Sequence, residues 1–206
     1  MVNSTSQHII VNAEKLFKQF GFKHVTMDII AAECGISKKT LYENFDNKEK
    51  LVVETMTFLL KHNEESSNLI IENSKNAIEQ MIGILHLMEK MNRGMNPVCI
   101  LEMQKYFRQA YHVFEEYKEN KVCCWIKENL KLGVEQELYR DDFDIDLMTR
   151  FRLESSFILF KTNLITNTNI DFVKANTQIF SNFMYGIATI KGHKLISKFL
   201  KNDEQN

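Results

Sequence analysis

Between Thr26 and Leu51 the chain reads TMDIIAAECGISKKTLYENFDNKEKL, a run whose punctuation predicts two short helices joined by a glycine turn. The Thr26 hydroxyl can cap the free N–H groups of a helix carrying Ile29, Ile30, Ala31 and Ala32. Gly35 can take the left-handed conformation that ends it, and Ile36 then falls between the two helices as an apolar plug. Ser37 is a good cap for the second helix, Lys38 to Phe45, in which Leu41 and Phe45 are four apart and share the inward face. Ser37, Lys38, Lys39, Thr40, Tyr42 and Asn44 are left outside, and such residues at the start of a short exposed helix suit contacts to base edges in a DNA major groove. Asp46 or Asn47 caps a third element, with Glu49 placed as in a capping box. Lys48 lies in its first turn, where a side-chain ammonium and free backbone N–H groups can hold a phosphate.

Widened to AEKLFKQFGFKHVTMDIIAAECGISKKTLYENFDNKEKL, Ala13 to Leu51, the segment resembles the DNA-binding part of the tetracycline-repressor (TetR) family of bacterial transcription regulators. The pairs and triplets LF, GF, VT, IA, GIS, TLY and KE fall at that family's spacing. Two positions depart from it: Cys34 stands where a small alanine is usual, and Asn44 where many members carry histidine. The resemblance implies Thr26, Tyr42 and Lys48 as phosphate contacts and Ser37, Lys38, Lys39, Thr40 and Asn44 as base-side candidates. It also implies an all-α chain, with an N-terminal three-helix DNA-binding domain over 1–50 (motif about 26–46). A larger helical ligand-binding and dimerisation domain would then occupy 51–206.

Composition agrees with long helices. In 206 residues there are one proline and seven glycines, and a 44% hydrophobic content is enough to bury a sizeable core. No run of about 18 apolar residues suggests a membrane span, and the opening MVNSTSQH has no signal-peptide pattern, so a cytoplasmic protein is expected. The net charge of −1 says nothing for nucleic acid, but Ser37 to Lys50 holds four lysines against three acids. That modest bias would need doubling in a dimer. Lysine outnumbers arginine 21 to 5, and no arginine precedes Arg93, so bidentate guanine reading by arginine is excluded from the motif and an A/T-leaning operator is expected.

Cys34, Cys99, Cys123 and Cys124 lack C-x-x-C spacing, and reduced thiols filling core positions are expected. The six histidines form no ligand pair. Neither a nucleophile with its base nor a cofactor loop is legible, so the expectation is no enzyme, no cofactor and no metal.

The first helix is expected from Ser4–Ser6 to Gly21, with an apolar stripe Ile9, Ile10, Ala13, Leu16, Phe17 and Phe20. A long helix follows Lys48 and reaches a polar run at Asn63 to Asn68. Beyond it, helices are expected over Asn76–Met91, from Pro97 through Phe107, Ala110–Leu132, Ile145–Thr166 and Asp171–Ile190, then a short piece with Leu195, Ile196, Phe199 and Leu200. By the resemblance, the last two long helices form a homodimer interface. Phe58, His62, Met88, Met103, Phe107, Trp125 and Phe157 are candidate lining for an apolar pocket. The expected function is a homodimeric repressor that binds an inverted repeat in double-stranded DNA and is released by a small apolar or amphipathic effector. The alternative is a helical binding or interaction module whose DNA-reading motif is inactive.

Overall fold

A computed structural model describes residues 4–94, 96, 98–161 and 171–203. Among them the chain is helical, with no strand beyond an isolated antiparallel bridge between Tyr139 and Ala188. Pro97, the Phe160 and Leu200 side chains, and the predicted helix beyond Lys161 lie outside the described residues.

The helices are α1 (Ser4–Phe20), α2 (Met27–Glu33), α3 (Lys38–Asn44), α4 (Lys48–Asn73), α5 (Ala77–Asn92), α6 (Cys99–Tyr106), α7 (Arg108–Tyr117), a π-helical turn at Lys118–Val122, α8 (Cys123–Glu135), α9 (Ile145–Lys161), α10 (Phe172–Ile187) and α11 (Ile190–Asp203). They gather into two compact units. One comprises Met1–Glu64 and Gly94–Tyr117, the other Glu65–Arg93 and Lys118–Asn206. The grouping therefore does not follow one cut after residue 50, because α6 and α7 pack with the N-terminal helices.

In the first unit the predicted stripe of α1 is buried at Ile9, Ile10, Ala13, Leu16 and Phe17, but Phe20 is exposed. These residues share one apolar core with Ile30, Leu41, Phe45, Leu51, Val52, Met103 and Ala110. Burying each large side chain of that kind stabilises the fold by about 1.5–3 kcal/mol. The polar run Asn63–Asn68 does not interrupt α4, which continues to Asn73, since nothing in it removes a backbone donor or favours a left-handed turn.

In the second unit, the helix expected over Ala110–Leu132 is divided. α7 ends at Tyr117, a π-helical turn intervenes, and α8 runs past Gly133 to Glu135. Gly133 marks a close approach rather than a helix end: a Cβ there would lie 1.9 Å from Cδ2 of Tyr139. The buried Tyr139 hydroxyl donates to Asn129 Oδ1 at 3.1 Å. Asn129 Nδ2 in turn donates to the Ala77 carbonyl at 2.8 Å and to Gln80 at 2.9 Å, so the 136–144 connection is fastened to α8 and α5. Asp144 caps α9 and Asp171 caps α10. The four thiols are free: Cys34 and Cys99 are buried as expected, whereas Cys124 is exposed and Cys123 half-buried. The core-filling expectation is corrected for that adjacent pair, because α8 turns Ile126, Asn129, Leu130 and Gly133 inward and leaves these two cysteines off that face.

Candidate nucleic-acid interface

The hydroxyl of Thr26 accepts the Ile29 N–H at 3.2 Å, which fixes the start of α2. At its end the Gly35 φ of 64° turns the chain, and the Gly35 and Ile36 N–H groups donate to the carbonyls of Ala32 and Ala31 at 3.1 and 3.0 Å. This double bond pattern satisfies carbonyls that a helix end leaves open. Ile36 is partly buried against the core. Ser37 Oγ then accepts the Thr40 N–H at 3.0 Å and starts α3. Leu41 and Phe45 are buried at 0% and 1% exposure, so α3 cannot roll, and its opposite face is committed to solvent.

On that face Ser37, Lys38, Lys39 and Tyr42 are exposed and Thr40 is half-buried. The cations are not equivalent. Lys38 Nζ bonds Asp28 on α2 at 2.7 Å, and that carboxylate holds the ammonium in its charged form. Lys39 has its acid Glu43 one turn on at 3.9 Å, with the lysine side chain 87% exposed. Thr40 Oγ1 lies 2.9 Å from Ser37 Oγ, so the two hydroxyls share a hydrogen bond across the first turn.

Two candidates are engaged within the protein. Asn44 Nδ2 donates to the Thr40 carbonyl at 2.8 Å, and its Oδ1 accepts from Ser6 Oγ at 2.8 Å, so this amide ties the end of α3 to α1. Lys48 turns inward. Its ammonium donates to the Phe22 carbonyl, lies 5.3 Å from the Phe107 ring centroid and is half-buried. Burial pushes its pKa down, against an opposing pull from Glu102. The same Glu102 accepts the Lys23 N–H at 3.0 Å, so α6 grips the α1–α2 corner. Asn47, rather than Asp46, caps α4 by accepting the Lys50 N–H at 2.9 Å, while Asp46 pairs with Lys50 at 3.0 Å.

The roles of Ser6, Asp28 and Glu102 are absent from the sequence reading. Ser6 and Glu102 bond across separations of 38 and 79 residues, which no local pattern encodes. Asp28 sits in the quoted run, and an acid at the N-terminus of α2 was a signal available there.

Residues 9–55 match the family profile described as "Bacterial regulatory proteins, tetR family". The match to the TetR family lies in that N-terminal segment. The relatives the chain resembles are named as HTH-type transcriptional regulators. It is 35% identical over 111 residues to the Bacillus subtilis HTH-type transcriptional regulator YhgD, an alignment covering 54% of this chain and 52% of that one. The chain thus spans about half the length of that relative. To the Mycobacterium tuberculosis HTH-type transcriptional repressor KstR2 it is 26% identical over 161 residues, 76% of this chain and 80% of KstR2. The solved structure of KstR2 superposes with a TM-score of 0.64 at 20% identity, covering 92% and 97% of the two chains. AibR, solved with isovaleryl coenzyme A and operator DNA, superposes at 0.61 with 19% identity over 87% and 95%. At such identities the structural likeness shows the shared fold.

The candidate pocket residues fall in both compact units. Phe58, His62, Met103 and Phe107 belong to the first, where Met103 and Phe107 are buried in its core and the Phe107 ring lies tilted 5.7 Å from that of Phe22. His62 is exposed and Phe58 packs partly on the same core. Met88, Trp125 and Phe157 belong to the second; Met88 and Trp125 are half-buried, and Phe157 is buried with Lys118 Nζ 5.9 Å from its ring centroid.

Proposed function

We propose that the chain is a homodimeric repressor that binds an inverted-repeat operator in the cytoplasm and is released by a small apolar or amphipathic effector. The observation that carries the DNA half is α3. Its inner side is locked by Leu41 and Phe45, and its first turn offers Ser37, Lys38, Lys39 and Thr40 outward. Ser37, Lys39 and Thr40 are the base-side group, joined by Lys38 once its bond to Asp28 opens. Thr26 and Tyr42 take phosphates. Lys48 joins them only when its ammonium leaves the Phe22 carbonyl, and Asn44 acts by holding α3 against α1. The DNA-binding domain is assigned to 1–50 and the effector and dimer functions to 51–206.

Dimerisation is supported by α9, which exposes Leu147, Phe151 and Ile158 at 66%, 57% and 37%. Spaced by four and seven residues, they form one apolar stripe, which a second copy would cover. Two copies would place their recognition helices in successive major grooves about 34–36 Å apart. Release follows if the effector favours a body conformation in which that separation no longer fits. That AibR was solved with both a coenzyme A thioester and operator DNA supports a regulator of this kind.

Light scattering tests the assembly. The expected mass is twice the 24.2 kDa of one chain, both free and on DNA. A monomer bound singly to duplex would contradict the proposal.

A further inference from the structure

Among the described residues two cations are buried in the second unit, and they are treated differently. Lys118, 3% exposed in the π-helical turn, has Glu119 and Glu154 each 3.7 Å away. Arg152 on α9 is 8% exposed, and its Nη1 is fully buried without a hydrogen-bond partner. Its guanidinium carbon lies 5.1 and 5.6 Å from the ring centroids of Phe180 and Phe183 on α10. The buried hydroxyls beside it on α9 are satisfied locally: Thr149 donates to Ile145, and Ser155 to the Arg152 carbonyl itself.

No carboxylate on α9 serves Arg152. Asp146 pairs outward with Lys127, and Glu154 with Lys118. Residues 162–170 contain no acid. Among the described residues its electrostatic neighbour is Tyr139, whose hydroxyl proton is given to Asn129. Burial brings the guanidinium pKa down to about 10, which still leaves it charged at neutral pH. Stacking on two rings returns only part of the hydration lost, so a buried guanidinium of this kind calls for an anion. Its planar fork fits a carboxylate or phosphate through paired N–H donors, and the aromatic faces beside it suit an apolar chain.

We propose that Arg152 is the counter-charge for an oxyanion carried on an apolar tail, taken up inside the helical body between α9 and α10. This rests on the effector-released reading above and names the effector's chemical class.

The test compares octanoate, octyl phosphate, octan-1-ol and inorganic phosphate by calorimetry and thermal melting on the full-length protein, wild type and Arg152→Met. Wild type is expected to bind octanoate or octyl phosphate at least ten-fold tighter than octan-1-ol, and whichever binds more tightly identifies carboxylate or phosphate as the preferred head. In Arg152→Met that preference vanishes and octan-1-ol binding is kept. Without ligand, Arg152→Met melts no lower than wild type, because an uncompensated charge has been removed. The proposal is overturned if wild type shows no preference for the anions, if the preference survives in Arg152→Met, or if Arg152→Met shifts dimer to monomer, which would make a second copy the source of the counter-charge. Operator binding is read in parallel. An anion that binds through Arg152 yet leaves operator affinity unchanged sinks the release mechanism and leaves the site standing.

Discussion

At the residue scale, the exposed lysines of α3 divide by their neighbours. Lys39 points into solvent with only a distant acid, so Lys39→Ala is expected to lower the slope of log affinity against log salt by about 1 per protomer. Thr40→Ala, which removes a hydroxyl without removing charge, should instead alter the preference among sequences; titrations at several salt concentrations against variant duplexes separate the two effects. Lys48 has a second job in the free protein. Because its ammonium bonds the Phe22 carbonyl and faces the Phe107 ring, Lys48→Ala should cost about 1 kcal/mol of stability in addition to weakening DNA binding, measured by denaturant unfolding. Unchanged stability would show that the inward contact is idle. Thr26, Gly35 and Ser37 were legible as caps and turn because their chemistry is local. The inward turn of Lys48 was not, because Glu102 on α6 and Phe107 just after it lie more than fifty residues away in sequence.

At the element scale, helix starts were readable wherever a side chain caps them: Asn76, Asp144 and Asp171 each accept a backbone N–H as their residue type predicts. Helix interiors were less so. The helix expected over Ala110–Leu132 stops short of Gly133, yet α8 passes through that glycine because the missing side chain admits the ring of Tyr139. Gly133→Ala is therefore expected to destabilise by about 1–3 kcal/mol, despite alanine's better helix propensity, since a methyl group would overlap that ring. A stabilising effect in thermal unfolding would show that Tyr139 can move aside freely. The π-helical turn at Lys118–Val122 left no mark in the apolar periodicity. Arg152 did leave one, a charge inside a densely apolar helix, and the structure shows that its neighbours are aromatic rather than acidic.

At the scale of the whole molecule, the proposed operator binding depends on a pair. One protomer presents few cations to DNA, and an isolated α3 has too small a footprint to select a site. Phe151, 57% exposed at the middle of the α9 stripe, is the residue whose change should separate the copies: Phe151→Glu is expected to yield a folded monomer by light scattering, with operator affinity reduced by at least ten-fold. A dimer that survives this substitution would place the interface elsewhere. Which apolar positions stay exposed was the least legible part of the sequence, since exposed apolar positions and buried ones have the same composition until a fold sorts them.

The most direct measurement of the central claim is selection of bound DNA from a pool of random duplexes by the purified protein, carried out at two salt concentrations. An inverted repeat, with half-sites spaced by about one helical turn and enriched more sharply at the higher salt, is the predicted result. A folded dimer that enriches no sequence at either salt would contradict it and leave the exposed face of α3 without a reading function.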